Sequence, residues 1–277
     1  MAVTVETPDQ RGARELRRVL FDEVAGLYDA TRQGYPRELV DAVVDDAAIG
    51  PGAAVLEIGC GTGQLTRQLA GRGFDLTAID IGAAMVEAAR GNVADEAARF
   101  EVCSFEDFAG GGPFDLIVSA TAFHWIDPGV GLAKAARLLR PGGWLALLTT
   151  GERYPEQLWG GMRELWVRYS RQTGEWADQP SWLAALRDSE LFGATVEAGH
   201  ATALRLPAET VLGVERTRAT FLSFTEQDQA DFTRELTALL EPGSHIDVVQ
   251  ESFLAMAPTS RRSDEQGSDE QRLHLTP

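Results

Sequence analysis

The sequence predicts an α/β protein built on a doubly wound, mostly parallel sheet. Short apolar segments alternate with segments of helical periodicity over residues 53–149, the pattern of repeated strand–helix units. Two apolar segments, FDLIVS at 114–119 and WLALLT at 144–149, lack the strict alternation of a half-exposed strand, as expected where helices cover both faces. Right-handed crossovers bring the carboxyl ends of such strands to one edge, where we expect the ligand.

The elements follow in a regular order. Residues 14–48 have apolar residues at helical spacing, interrupted by Gly34, Tyr35 and Pro36, which predicts an N-terminal cover of two helices around a turn. Further strands are predicted at 53–58, 74–79 and 99–103, and helices at 64–70, 83–90 and 130–140.

After Thr150 the pattern changes. A tryptophan-rich helical segment at 154–190 predicts a lid inserted after the fifth strand, and a strand near 192–206, two helices broken around Ser223 and a strand near 245–256 follow. Residues 258–277 are rich in Ser, Asp, Glu and Gln, which predicts a disordered tail. We therefore expect one domain over 1–257.

The amino-acid composition limits the classes of partner that we expect for the protein. The formal net charge of -17 and the pI near 4.6 disfavour nucleic acid and anionic membranes, which attract clustered Lys and Arg. Cys60 and Cys103 are the two cysteines, and their spacing fits neither a disulfide framework nor a metal site. With no apolar segment typical of a signal peptide or membrane span, we predict a cytoplasmic protein that acts on a small molecule. The oligomeric state does not follow from the sequence.

The most specific local pattern is VLEIGCGTG at 55–63, a strand that ends in an acid and enters alternating glycines. A dinucleotide-binding loop has the spacing G-x-G-x-x-G, whereas here the third glycine comes one residue early. Glu57 would also repel a pyrophosphate. A ligand with a cationic amino acid end fits better, and Asp80, about twenty residues further on, can accept both hydroxyls of a ribose. A nicotinamide-dependent oxidoreductase is thus the weaker alternative.

Six segments occur in the order and spacing of a known family: FDEVAGLYDATRQGYP, VLEIGCGTGQLT, AIDIGAAMVEAAR, CSFEDF, FDLIVSATAFHWID and LLRPGGWLALL. Together they resemble the class I, Rossmann-like S-adenosylmethionine-dependent methyltransferases, particularly the type 11 group with its trans-aconitate methyltransferase-like members. The resemblance covers residues 21–153 and extends weakly to 256. It implies seven strands with the last one antiparallel, and S-adenosyl-L-methionine as the cofactor.

The resemblance also implies residue roles. Glu57 and the loop glycines would surround the methionine part of the cofactor, Asp80 would bind the ribose, and Ile81, Phe105 and Glu106 would border the adenine. Ser104 departs from the family, in which many members have Asp at this place. The N-terminal cover would put Tyr28 and Arg32 near the cofactor carboxylate, where a guanidinium suits bidentate pairing. The full predicted cofactor set is Tyr28, Arg32, Glu57, Gly59, Cys60, Gly61, Gly63, Asp80, Ile81, Met85, Ser104, Phe105, Glu106 and Ala120.

Methyl transfer requires alignment of the nucleophile, methyl carbon and sulfur and exclusion of water, so a base is optional. The residues after the fourth strand, Ala120 to Trp125, should face the methyl group, and Phe123, His124 and Trp125 are predicted acceptor contacts. His124 is the main candidate base, because an imidazole can take a proton near neutral pH; a packing role is the alternative. Tyr28 and Tyr35 are weaker catalytic candidates, and no metal is expected.

The predicted lid contains an aromatic stripe with Tyr154, Trp159 and Trp166, which we expect to line the acceptor pocket, or else to pack lid against core. The stripe favours an aromatic acceptor, such as an indole or phenol of secondary metabolism. The alternatives are a carboxylate acceptor of the trans-aconitate type, received by arginines of the same segment, or a protein that binds the cofactor without turnover. The arginines are Arg153, Arg163, Arg168 and Arg171.

Overall fold

A computed structural model describes residues 20–94, 98–170 and 181–260 of the chain. The core is one seven-stranded sheet with the order β3-β2-β1-β4-β5-β7-β6. Strands β1 to β5 run parallel, and β7 is antiparallel to both of its neighbours. The predicted fold, including the antiparallel last strand, is confirmed. The strands are β1 Ala54–Ile58, β2 Asp75–Asp80, β3 Arg99–Val102, β4 Phe114–Ala120, β5 Leu139–Arg153, β6 Val196–Pro207 and β7 His245–Pro258.

Ten α-helices and two 3-10 turns fall within the described residues. The turns are Phe21–Val24 and Phe123–Trp125. The helices are α1 Ala25–Thr31, α2 Arg37–Asp46, α3 Thr66–Leu69, α4 Ala83–Asn92, α5 Pro128–Leu138, α6 Glu156–Ser170, α7 Ser181–Arg187, α8 Ala208–Arg216, α9 Ala219–Leu222 and α10 Glu226–Leu240. Within the parallel part of the sheet, α4 and α5 connect successive strands, as the sequence predicts.

The sheet is buried on both faces, which explains its continuous apolar strands. Successive residues of β5 belong to opposite cores: Leu145 and Leu147 pack with α5 and α7, and Ala146 and Leu148 pack on the α2 side. All four are at most 2% exposed. Burying these strands on both faces stabilises the sheet.

A third apolar cluster lies beyond the end of β5 and joins α6, α8 and α10. It corrects the prediction that residues 154–190 form one lid. Helix α6 packs in this third cluster, whereas Trp182, Leu183 and Leu186 of α7 are part of the first core beneath the sheet. The segment is divided because each half has its own apolar face, and the two faces meet different partners. Residues 171–180 lie outside the described residues.

The predicted tail begins too early. Strand β7 extends to Pro258, and the Thr259 hydroxyl accepts a hydrogen bond from Gly142 N and donates one to Arg140 O. Residues 1–19 and 261–277 lie outside the described residues. Where the structure is described, no helix has the length and apolar character needed to span a membrane.

Candidate functional site

A cleft opens at the carboxyl ends of β1, β2 and β4, the edge where the strand pattern places a ligand. It holds about 700 Å³ of space, open solvent at its mouth included. The glycine loop, the end of β2, the segment after β3, the segment after β4 and the N-terminal cover all contribute to it. Its lining residues are Phe21, Tyr28, Ile58, Gly59, Gly61, Ile79, Asp80, Ile81, Met85, Cys103, Ser104, Phe105, Ala120, Thr121, Ala122, Trp125 and Ile126.

The glycine loop needs glycine for two separate reasons. Gly59 and Gly61 have φ values of 71° and 54°, in the left-handed region that L side chains rarely adopt. A Cβ on Gly59 would lie 2.3 Å from the Cβ of Ala122, so the loop and the segment after β4 approach too closely for any side chain there. At Gly61 the nearest cover atom, Tyr28 Cε1, is 3.9 Å away, so φ alone demands glycine.

Asp80 ends β2 with its carboxylate between two backbone amides. Its Oδ2 accepts a 2.9 Å hydrogen bond from Gly61 N, and its Oδ1 accepts one of 2.9 Å from Gly82 N. The carboxylate therefore joins the glycine loop to the start of α4 at the cleft wall. Beyond it, Ser104 is held by its own turn, because its hydroxyl donates to Asp107 Oδ2 at 2.7 Å.

Glu57 is a buried carboxyl group at the end of β1. Its side chain is 1% exposed, and Oε2 has no hydrogen-bond partner within the described part of the chain. Burial raises the pKa of Glu57 to about 8, and the charge of Asp80 adds to the rise. A buried, unsatisfied oxygen of this kind is stabilised by a hydrogen-bond donor or a cation.

These residues fit S-adenosylmethionine. Gly59 and Gly61 bring backbone without side chains to the cleft, and Asp80 offers carboxylate oxygens at a ribose-binding position. Glu57 is buried and is not among the lining residues. Predicted residues that line the cleft are Tyr28, Gly59, Gly61, Asp80, Ile81, Met85, Ser104, Phe105, Ala120 and Trp125.

Three other predicted cofactor residues, Cys60, Gly63 and Glu106, are not among the lining residues of the cleft. Cys60 is buried among Ala78, Val86 and Ala89. A Cβ on Gly63 would approach Val93 Cγ2 to 3.2 Å, so this glycine permits close packing against α4. The backbone oxygen of Glu106 accepts a hydrogen bond from Lys134.

The N-terminal cover closes one side of the cleft through Phe21 and Tyr28. Their ring centroids are 6.0 Å apart in an edge-to-face arrangement, and Phe21 makes a similar contact with Trp125 at 6.1 Å. Asp22 caps α4 from this segment by accepting from the backbone amides of Ala84 and Met85. The cover is thereby fixed to the cleft wall.

Arg32 and Tyr35 lie outside the cleft lining. The Arg32 guanidinium donates to Thr217 Oγ1 at 3.0 Å and to Val214 O at 3.3 Å, so α8 holds it. Tyr35 donates to Thr121 Oγ1 at 3.2 Å. Burial raises the pKa of both Tyr28 and Tyr35, so these hydroxyls stay protonated near neutral pH. The catalytic roles of Tyr28 and Tyr35 stay predictions.

In the segment after β4, the three predicted acceptor contacts have different surroundings. Phe123 packs into the first core, 2% exposed, so its prediction as an acceptor contact is wrong. Trp125 lines the cleft. His124 is exposed and its ring centroid is 4.6 Å from that of Trp125. At the ordinary imidazole pKa near 6.5, an exposed ring is mostly neutral at pH 7.

The aromatic residues of the predicted lid do not reach the cleft. Tyr154 and Trp166 are 5% and 1% exposed and donate to the two oxygens of Glu215, at 2.8 Å and 3.0 Å. Trp159 stacks on Tyr154 with centroids 6.5 Å apart. All three belong to the third cluster, so their prediction as acceptor contacts is corrected: helical spacing identified a buried face, but that face packs against α8 and α10.

The arginines of this segment also have other roles. Arg153 pairs with Glu251 and Arg168 with Glu235, and neither lines the cleft. Arg163 is exposed, and Arg171 lies outside the described residues. In the part of the chain that the structure describes, no group of three or more His, Cys, Asp or Glu side chains is placed to hold a metal ion.

Several cleft residues were not singled out from the sequence: Phe21, Ile58, Ile79, Cys103 and Ile126. Thr121 and Ala122 line the cleft and belong to the segment that was predicted to face the methyl group. Ile58 ends β1 and Ile79 directly precedes Asp80 at the end of β2, so their position beside the predicted loop was a usable signal. Thr121 has a φ of 53°, and a threonine in the sequence gives no indication of this left-handed conformation. Phe21 belongs to one of the family-like segments, but it has no polar group that would suggest a role in binding.

Comparisons with known proteins agree with this geometry. A family model described as a methyltransferase domain matches residues 55–143. An uncharacterised methyltransferase of Mycobacterium tuberculosis is 35% identical over 150 residues, which are 52% of this chain and 56% of the relative. An uncharacterised methyltransferase of Geobacillus kaustophilus is 31% identical over 50% of this chain and 68% of its own.

A relative with a named acceptor is the malonyl-[acyl-carrier protein] O-methyltransferase of Hahella chejuensis, 32% identical over 55% of this chain and 58% of the relative. Among solved structures, a protein of Anaeromyxobacter dehalogenans described as a type II methyltransferase aligns with a TM-score of 0.59 and 22% identity, over 83% of this chain and 97% of that one. At this identity the structural likeness shows the fold alone. The chain spans little more than half the length of the first curated relatives that it matches.

Proposed function

The chain belongs to the class I S-adenosylmethionine-dependent methyltransferase family, and we propose that it transfers a methyl group from that cofactor to a small molecule. The observation that carries this proposal is the position of Asp80. Its carboxylate accepts from the glycine loop and from the start of α4 at the wall of a cleft, where it can bind ribose hydroxyls while the loop backbone approaches the methionine part.

When bound, S-adenosylmethionine supplies an electrophilic methyl group on a cationic sulfur. The side chains of this protein contribute alignment and exclusion of water. Phe21, Tyr28 and Trp125 form an aromatic wall beside the loop, and aromatic faces attract cations and exclude solvent. His124, mostly neutral at pH 7, is the main candidate base, and it directly precedes Trp125 in the chain.

We propose a neutral acceptor with an aromatic or other apolar body, such as an indole or phenol of secondary metabolism. The aromatic wall supports this acceptor. No Arg or Lys lines the cleft within the described ranges, so the protein offers no cationic side chain there to pair with an anionic acceptor. The tryptophan stripe no longer contributes, since Trp159 and Trp166 face the third cluster.

A carboxylate acceptor is the second candidate, because the Hahella relative is named for O-methylation of a malonyl group. Cofactor binding without turnover is the third. Two free cysteines fit our proposal of a cytoplasmic site of action, and the charge of -17 fits a small-molecule partner rather than nucleic acid.

A transfer assay with isotope-labelled S-adenosylmethionine separates the three candidates. Matched pools of neutral phenols and indoles, and of di- and tricarboxylates, are incubated with the protein, and label is counted in the extracted product. We expect label in the neutral aromatic pool. Label confined to the carboxylate pool would replace our acceptor, and no label in broader metabolite extracts despite cofactor binding would favour binding without turnover.

A further inference from the structure

A series of buried polar contacts runs from the third cluster to the cleft. It begins at Glu215 of α8, whose side chain is 1% exposed. One carboxylate oxygen accepts from the hydroxyl of Tyr154 at 2.8 Å, and the other accepts from Nε1 of Trp166 at 3.0 Å and from Nε of Arg218 at 2.9 Å. Glu215 is therefore fixed by three donors from three parts of the chain.

The contacts continue through Arg218 to the end of β5. Arg218 Nη2 donates to Glu152 Oε2 at 3.0 Å, and the Glu152 side chain is 4% exposed. The other oxygen of Glu152 lies 3.9 Å from Nη1 of Arg32. Arg32 also donates to Thr217 Oγ1 and to the backbone oxygen of Val214. One guanidinium thus joins the N-terminal cover to both β5 and α8.

The last contact reaches the cleft. The guanidinium carbon of Arg32 is 5.3 Å from the ring centroid of Tyr28, within the range of a cation–π interaction. Tyr28 lines the cleft, and its Cε1 lies 3.9 Å from the position of a Cβ on Gly61. The ring is therefore held between Arg32 and the glycine loop.

Stability alone does not explain this arrangement. Removing two carboxylates, and most of two guanidinium groups, from water is costly, and apolar residues of similar size often stabilise a buried site at least as well. The two carboxylates and the two guanidinium groups together have no net charge, and the charge of Arg32 is balanced by its pair with Glu152. The series ends at Tyr28, which lines the cleft, so we expect its effect on ligand binding there.

We infer that Glu215, Arg218 and Glu152 form a positioning network that holds Arg32, and through it Tyr28, against the glycine loop. Affinity for the cofactor then depends on residues of β5 and α8 that do not line the cleft. The inference rests on the proposed function, because its first readout is cofactor binding. Arg32 is on this account a positioning residue for Tyr28 rather than a direct partner of the cofactor carboxylate.

A double-mutant cycle tests the network with S-adenosylhomocysteine as the probe in calorimetry. Glu152→Gln should weaken binding about tenfold, within the range measured for directly coupled residues. In a Tyr28→Ala background the same change should have no further effect, because Glu152 acts through Tyr28. Wild-type affinity in Glu152→Gln, or effects that multiply in the double variant, would overturn the inference. Glu251→Gln, which breaks the exposed Arg153 pair at the same end of the sheet, is the matched control.

Hydrogen exchange of the α1 amides in the ligand-free protein supplies a readout that needs no cofactor. Glu152→Gln should speed exchange at Ala25–Thr31, and Glu251→Gln should leave it unchanged. Arg218→Lys, which keeps the charge but cannot bridge both carboxylates in the same way, should act like Glu152→Gln and serves if that variant folds poorly. No binding of S-adenosylhomocysteine to the wild-type protein would reject the proposed function, whereas unchanged exchange in both variants would reject the network.

Discussion

The backbone amide of Gly61 donates a 2.9 Å hydrogen bond to the carboxylate of Asp80. This contact ties the glycine loop after β1 to the end of β2, nineteen positions further along the chain, and it places a charged acceptor on the wall of the cleft. The ends of two neighbouring parallel strands therefore form one binding surface.

Loss of the Asp80 carboxylate should weaken cofactor binding. Hydrogen bonds to charged groups contribute about 1.5 to 3 kcal/mol, so Asp80→Ala should bind S-adenosylhomocysteine roughly 10- to 150-fold more weakly in calorimetry. Asp75→Asn, at the exposed start of the same strand, removes a carboxylate paired with Arg99 and should bind like wild type. Equal affinity of Asp80→Ala and wild type would remove Asp80 from the site.

Gly59→Ala should destabilise the fold by about 2 to 4 kcal/mol, because a left-handed backbone and an overlap with Ala122 act together. Gly52→Ala is the matched control: its φ is 85°, but a Cβ there meets nothing within 4 Å, so about 1 kcal/mol is expected. Denaturant unfolding measures both. Adding Ala122→Gly should restore part of the loss in Gly59→Ala, and no restoration would show that overlap is not the cause.

Glu57 should make stability fall as pH rises. Its folded-state pKa of about 8 lies above the ordinary value of 4.5, so the folded chain binds more protons between those values and loses stability through that window, by at most about 1.4 kcal/mol per pH unit. The stability of Glu57→Gln relative to wild type should therefore increase from about pH 5 to 8. A difference that does not vary with pH would contradict a buried, protonated Glu57.

Substitution of two tryptophans should affect different properties of the protein. Trp166→Phe removes a donor to buried Glu215, and it should lower unfolding free energy by about 1 to 3 kcal/mol. Trp125→Ala should weaken binding of aromatic acceptors or of the cofactor with a smaller effect on stability, since it lines the cleft and is only partly buried. Denaturant unfolding and calorimetry on both variants test this, and an unchanged ligand affinity in Trp125→Ala would exclude its part in the site.

Much of the fold could be predicted because its signals are local. The strand that ends at Ile58, the glycines that follow and Asp80 all lie within thirty residues, and each has a chemical reason to be there. Apolar segments without alternation correctly indicated a sheet covered on both faces, and the antiparallel last strand followed from the family resemblance.

The predictions that the structure corrects were wrong for a common reason. Spacing shows that Trp166 and Phe123 lie on buried faces, but it does not say which of several cores receives them. The partner of Arg32 is a further example, because Thr217 is 185 positions away and no motif connects the two. Contacts that depend on how distant elements pack, such as the one between Glu152 and Arg218, become visible only in three dimensions.

The most direct test of the account is a calorimetric titration of the wild-type protein with S-adenosylhomocysteine, NAD and NADP in turn. We expect saturable binding of S-adenosylhomocysteine in the micromolar range and no binding of either dinucleotide, because the loop spacing departs from that of a dinucleotide-binding loop. Binding of NAD or NADP instead, or no binding of S-adenosylhomocysteine, would contradict it.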